Sequence, residues 1–279
     1  FPVRGSLPGG CGPGPGNYRR AGARNGARTV KVLVFLHGWG ADGRIWQRQV
    51  EAFQDEIRVL APSLPSWEAD VVSDFLERLP LSESLLVGWS LGGMLLLEAL
   101  ALRGQAPGGL ALAGSCASFC RRPDYPLGQP AGVVRAMRRA LRDNPRRVLE
   151  EFAASCLAPG EQDYLAGTEA VFTSPAYPES LVEGLDYLLD RDLRPLLSRG
   201  PAGAVIIQGD RDRIVAPDQA RYLKENLSDS RLVRMEGAGH LPFVTQAEAF
   251  NEILQDILRG GLGEHPSPTL HSSSPPNPL

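Results

Sequence analysis

The sequence has no cysteine framework. Its four cysteines, Cys11, Cys116, Cys120 and Cys156, are too few and too scattered over 279 residues to staple a fold. Cys116 and Cys120 have the spacing of half a metal site, but no second Cys/His pair lies near them. They read as small buried or loop residues, and no metal or cofactor is expected. Histidine is scarce too, with four in the chain, which shortens the search for a general base. Uncharged apolar runs such as residues 32–36 and 94–97 are far too short to cross a bilayer, and no stretch has the layout of a signal peptide. The net charge of −3 lacks the basic excess of a nucleic-acid-binding surface. An initiator Met is absent, which points to a fragment or a processed or misassigned start. These absences lead to the expectation of a monomeric, cytoplasmic protein with no membrane or nucleic-acid partner.

What is present is ordinary globular composition, 43% hydrophobic and 22% charged. The length suits one α/β domain with an insertion, or at most two domains. Residues 1–28 are rich in Gly, Pro and Arg, and residues 261–279 in Pro and Ser; both are expected to be disordered tails. Between them, β-branched and apolar runs (29–36, 57–62, 85–87, 110–113, 204–208, 231–235) alternate with helical patterns (44–54, 69–79, 91–97, 217–227, 246–258). That alternation predicts a mostly parallel, doubly wound sheet, with its ligand site at the carboxyl ends of the strands. Residues 121–199 depart from it. They are helical, broken by prolines, and hold no convincing strand. The expected organisation is a core of residues 29–120 and 200–260 with a helical cap, 121–199, inserted between two strands.

The chain is organised around residues 85–97, LLVGWSLGGMLLL. An apolar strand meets Gly88-Trp89-Ser90-Leu91-Gly92, and an apolar helix follows. This is the G-x-S-x-G pattern in the strand–turn–helix context that makes it a nucleophile elbow. A side chain at Gly88 or Gly92 would collide with a neighbouring strand or helix, and the turn would force Ser90 into a strained conformation. The amide of Leu91, first in its helix, is left free to receive an oxyanion. The strand 29–36 ends in His37-Gly38-Trp39-Gly40, where the Trp39 amide can supply the other half of an oxyanion hole.

A serine hydroxyl needs a base, and the base an orienting acid. His265 and His271 sit in the tail and His37 belongs to the oxyanion-side loop, which leaves His240, in the Gly-rich loop after the last strand. Asp210 and Asp212 are both candidate acids. Asp212 is favoured as the aspartate of G-x-x-D-x-x-V (residues 209–215), with Asp210 bracing the loop.

These motifs resemble those of the α/β-hydrolase superfamily. The pairing of L-H-G-W-G (36–40) with G-W-S-L-G-G (88–93), together with H-x-P-F (240–243), is similar to the pimeloyl-[acyl-carrier protein] methyl ester esterases of biotin synthesis over residues 30–258. The resemblance implies hydrolysis of an acyl ester on a carrier protein by Ser90, His240 and Asp212, without a cofactor. It also implies substrate contacts at Trp39, Leu91 and the cap residues Phe152, Ala153, Ala154, Ser155 and Cys156. Trp39 and Phe152 would flank an apolar acyl channel. In the cap, Arg135, Arg138, Arg139 and Arg142 share one helical face, and Arg147 extends the charge. The stripe is read either as a docking face for an acidic acyl carrier protein or as a solvated helix face. Glu151 stands where the family has another arginine, and residues 63–67 replace its usual L-P-G-x-G-x-S turn. The alternative functions are a general short-chain carboxylesterase or thioesterase, an acyltransferase, and a non-catalytic binding protein of the same fold.

Overall fold

The computed structural model describes residues 30–260, so the two expected tails lie outside the described residues. In chain order the elements are β1 (Val32–Leu36), α1 (Gln47–Phe53), β2 (Arg58–Leu60), α2 (Ala69–Glu77), β3 (Ser84–Trp89), α3 (Leu91–Arg103) and β4 (Gly109–Ala113). Then come α4 (Ala131–Asp143), α5 (Pro145–Ser155), α6 (Leu165–Phe172) and α7 (Leu181–Asp190). The last are β5 (Val205–Gly209), α8 (Pro217–Asn226), β6 (Arg231–Met235), α9 (Pro242–Thr245) and α10 (Ala247–Leu258).

The six strands form one parallel sheet in the order β2-β1-β3-β4-β5-β6. β1 and β3 are adjacent interior strands, buried along their whole length, which explains their unbroken apolar runs. The edge strands carry the charges: Arg58 on β2, Arg231 and Arg234 on β6. The register brings the carboxyl ends level. Leu36 pairs with Gly88, Trp89 with Ala113, Ala113 with Ile207, and Gly209 with Met235. The segments that follow β1, β3, β4, β5 and β6 therefore leave from one edge. The strand order reverses between β1 and β3, so the crevice of a doubly wound sheet opens between residue 37 and residue 90.

Helix α3 is apolar all round and buried from Leu91 to Ala101, the pattern of a helix inside the core. Its one buried charge, Glu98, is met from α7 by the Tyr187 hydroxyl at 2.7 Å, and by Arg191 at 3.2 Å. The α-helices between β4 and β5 are α4 to α7, with α4 against α5 and α7, and α5 against α6.

Some element ends differ from the sequence expectation. The helix expected at 44–54 begins as a 3-10 turn, Gly43–Trp46, because Asp42 caps it: its Oδ1 accepts from the Arg44 amide at 3.0 Å. The last helix, expected at 246–258, is α10 and begins at Ala247; the short helix α9 precedes it, where only a loop was expected. The strand expected from residue 29 begins at Val32. No helix among the described residues is long and apolar enough to cross a membrane.

Candidate active site

The turn between β3 and α3 holds Ser90 at φ 52°, ψ −118°. Such a backbone costs a non-glycine residue on the order of 1–3 kcal/mol, and it persists only where its surroundings enforce it. The enforcement is visible. Ser90 N–H donates to the Ala113 carbonyl at 2.9 Å, and the Ser115 hydroxyl donates to the Ser90 carbonyl at 2.9 Å. A Cβ at Gly92 would lie 2.6 Å from the Leu36 carbonyl oxygen, so only glycine lets α3 start this close to β1. A Cβ at Gly38 would lie 3.1 Å from Ser90 Cβ, which puts the His37–Trp39 segment beside the serine. The Leu91 amide, first of α3, has no acceptor within its helix.

His240 is fully buried. Its Nδ1 lies 2.7 Å from Asp212 Oδ2, and its Nε2 has no hydrogen-bond partner among the described residues. Asp212 is fixed from several sides. Oδ1 accepts from the amides of Ile214 (2.8 Å) and Val215 (2.9 Å), and Oδ2 accepts from Gln208 Nε2 at 3.0 Å. An Asp so surrounded stays an acceptor and leaves the Nδ1 proton on histidine, so the Nε2 lone pair is available. Asp210 points elsewhere: its Oδ1 accepts from the Gly237 amide at 2.7 Å, bracing β5 against the loop that carries His240. The main chain of His240 is also held, its N–H donating to the Cys156 carbonyl (2.7 Å) and its carbonyl accepting from Trp89 Nε1 (2.9 Å).

His37 lies beneath the loop that it opens. Its Nδ1 is 2.9 Å from the Gly38 carbonyl, and its Nε2 accepts from the Leu64 amide at 2.9 Å. Burial, outweighing the Gly38 carbonyl and Asp42, pushes its pKa down to about 4, so the ring is neutral near pH 7 and serves as a brace. The unusual 63–67 segment is tied to the α4–α7 region. Ser66 Oγ and the Trp67 amide donate to Glu183 Oε1 at 2.6 and 2.7 Å, and Trp67 Nε1 donates to the Ser180 carbonyl at 2.9 Å.

Trp39 is buried, with Nε1 donating to the Leu181 carbonyl at 2.8 Å. Its ring meets Phe152 edge-on at 5.0 Å between centroids, and Phe152 in turn meets Phe172 at 5.6 Å. Among the cap residues expected at the substrate, Ala153 and Cys156 are buried, and the Cys156 carbonyl reaches His240. Ala154 and Ser155 are exposed, on the outward side of α5; the structure does not bring them to the site, because a helix cannot turn five consecutive side chains inward. The arginine stripe also divides. Arg138 forks onto Asp186 of α7, with Nη2 at 2.9 Å from Oδ2, and Arg147 meets Glu151 at 2.7 Å. Arg135, Arg139 and Arg142 are exposed.

Gln208 and Glu161 were not singled out by the sequence reading. Gln208 follows the apolar part of β5 and Glu161 lies in a turn, and neither position carries a motif. No group of three or more His, Cys, Asp or Glu among the described residues could hold a metal ion.

A model of the alpha/beta hydrolase family matches residues 33–253. The chain belongs to this family. It is 31% identical to a pimeloyl-[acyl-carrier protein] methyl ester esterase of Chromobacterium violaceum, over 81% of this chain and 93% of that protein. It is 28% identical to the protein of the same name from Neisseria meningitidis serogroup B, over 84% and 95%. Among solved structures, an esterase from Exiguobacterium antarcticum aligns with a TM-score of 0.75 at 22% identity, over 82% of this chain and 92% of that one. An enol-lactonase from Burkholderia xenovorans aligns at 0.70 and 20%, over 82% and 91%. These structural likenesses bear on the fold.

Proposed function

We propose that this alpha/beta hydrolase is a serine carboxylic ester hydrolase acting through Ser90, His240 and Asp212, and that its substrate is the methyl ester of a pimeloyl chain carried by acyl carrier protein. One observation carries the chemistry. The Nδ1 of His240 is engaged by a fully held Asp212 while its Nε2 is unpaired, on the sheet edge where Ser90 sits at a strained φ of 52°. The names of the relatives support the ester and the carrier.

Ser90 Oγ attacks the acyl carbonyl as His240 Nε2 takes its proton. Asp212 holds the imidazole tautomer and stabilises the imidazolium. The amides of Leu91 and Trp39 receive the oxyanion. The imidazolium then protonates the departing alkoxide, giving methanol and an acyl-enzyme. Water, deprotonated by His240, releases the acid and restores Ser90. Trp39 and Phe152 form the apolar wall for the acyl chain.

The reading is tested by hydrolysis of the pimeloyl-carrier methyl ester by the wild type and by Ser90→Ala, beside a p-nitrophenyl ester series. Strong preference for the carrier ester, abolished by S90A, supports it. A second reading, a general carboxylesterase, is favoured by one observation: two arginines of the docking stripe are already paired within the chain, Arg138 with Asp186 and Arg147 with Glu151. Equal turnover of both ester classes would select that reading.

A further inference from the structure

The loop that carries His240 is gripped by the segment after α5. His240 N–H donates to the Cys156 carbonyl at 2.7 Å. One residue earlier, the Gly239 N–H donates to Glu161 Oε2 at 3.1 Å, and the same oxygen accepts from the Ala158 N–H at 2.7 Å. Residue 239 must be glycine for this grip: a Cβ there would lie 2.6 Å from the Cys156 carbonyl oxygen and 2.8 Å from Glu161 Oε2. Glu161 is 7% exposed, and its Oε1 is buried with no hydrogen-bond partner among the described residues. Burying a carboxylate with an unpartnered oxygen costs desolvation, and a neutral side chain would close the turn at less cost. What the charge adds is a stronger hydrogen bond to the peptide next to His240.

We infer that Glu161 is a positioning residue for the base, a latch through which the seating of residues 145–161 sets the main chain of His240. This rests on the triad reading of Ser90, His240 and Asp212. Helix α5 carries Phe152 against Trp39 and ends at Cys156, whose carbonyl holds His240. A shift of α5 as an acyl chain bears on Phe152 is therefore passed to the imidazole. Base geometry and channel occupancy become linked.

The test compares wild type, Glu161→Ala and Glu161→Gln in the rate of fluorophosphonate labelling at Ser90 and in kcat and KM on p-nitrophenyl acetate. Misplacing a base by a fraction of an ångström to an ångström lowers the chemical step, so E161A is expected to lose about tenfold to a hundredfold in labelling rate and in kcat. Its KM stays within about twofold, since only an interaction of the transition state is lost. E161Q keeps an oxygen acceptor without the charge and is expected to lose less than E161A, about threefold to tenfold. Should E161A fail to fold, Glu161→Asp replaces it, one methylene shorter with the charge kept, and is expected to lose labelling rate while folded. Labelling of E161A or E161D at the wild-type rate overturns the latch. So does an equal loss in E161A and E161Q that tracks their melting temperatures. A wild type that is not labelled at Ser90 overturns the triad itself, and the latch with it.

Discussion

Gln208 donates to Asp212 Oδ2 at 3.0 Å, the same oxygen that meets His240 Nδ1 at 2.7 Å. The amide nitrogen of Gln208 also reaches the carbonyls of Gly209 (3.1 Å) and Val215 (3.0 Å), so one buried side chain ties the acid to the strand before it and the turn after it. Gln208→Leu removes the two N–H donors that these three acceptors share, at similar volume. Leaving those acceptors unpaired should cost about 1–3 kcal/mol in a urea unfolding series. With the carboxylate less firmly aimed, kcat/KM on a p-nitrophenyl ester should fall by about tenfold. A variant as active and as stable as wild type would remove Gln208 from the account of the site.

Asp210 and Asp212 differ by two positions and are expected to differ greatly in consequence. Asp212→Asn presents an amide to His240 Nδ1 and favours the wrong imidazole tautomer, a change that costs about 10⁴-fold in kcat in a well-studied triad. Asp210→Asn keeps an oxygen for the Gly237 amide and should leave kcat within about twofold, with a stability loss of at most about 1 kcal/mol. Steady-state kinetics of the two variants decide the assignment. Equal losses would mean that the loop, not Asp212, is what His240 requires.

The arginines of α4 make a sharper test of the carrier than the whole stripe does. Arg138 is engaged by Asp186, while Arg135, Arg139 and Arg142 face outward. Reversing these three to Glu should lower kcat/KM on a carrier-linked ester by about tenfold or more, through slower association, and leave small esters untouched. The loss should shrink as salt is added. An unchanged carrier reaction would return the stripe to a solvated helix face.

The elbow was legible in the sequence because its causes are local. Gly92 and the apolar flanks sit within a few residues of Ser90, and the contacts that forbid a larger side chain follow from where α3 must start. That the segments carrying His37, Ser90, Asp212 and His240 leave from one sheet edge was legible for another reason. Each follows a parallel strand, and parallel strands end on one edge. The choice of partners was not legible. Arg138 finds Asp186 across 48 residues, and Glu161 finds Gly239 across 78, in the folding of the α4–α7 region. Helical periodicity gave the face of α4 but could not say what lies opposite. The same limit applies to Ala154 and Ser155, which were carried in with their neighbours as a block although a helix divides such a block between its two sides.

His37 supplies a prediction that depends on its neutrality. The Leu64 amide points its N–H at Nε2, so that nitrogen carries no proton and the Nδ1 proton goes to the Gly38 carbonyl. Protonating Nε2 would set two donors against each other in a buried site. Burial, the largest influence, lowers the pKa to about 4 from its ordinary 6.5. As pH falls, the unfolded chain therefore takes up this proton first. The contribution of His37 to stability is complete above about pH 6.5, declines as pH falls toward 4, and is level below that. At about 1.4 kcal/mol per pH unit, the window corresponds to about 3 kcal/mol. Urea unfolding of wild type and His37→Gln, at about pH 7 and about pH 4.5, measures it. The glutamine variant is expected to be less stable at the higher pH and to lose much less than wild type between the two. Parallel losses in both proteins would show that His37 titrates as an ordinary histidine and that the loop below Trp39 is held by something else.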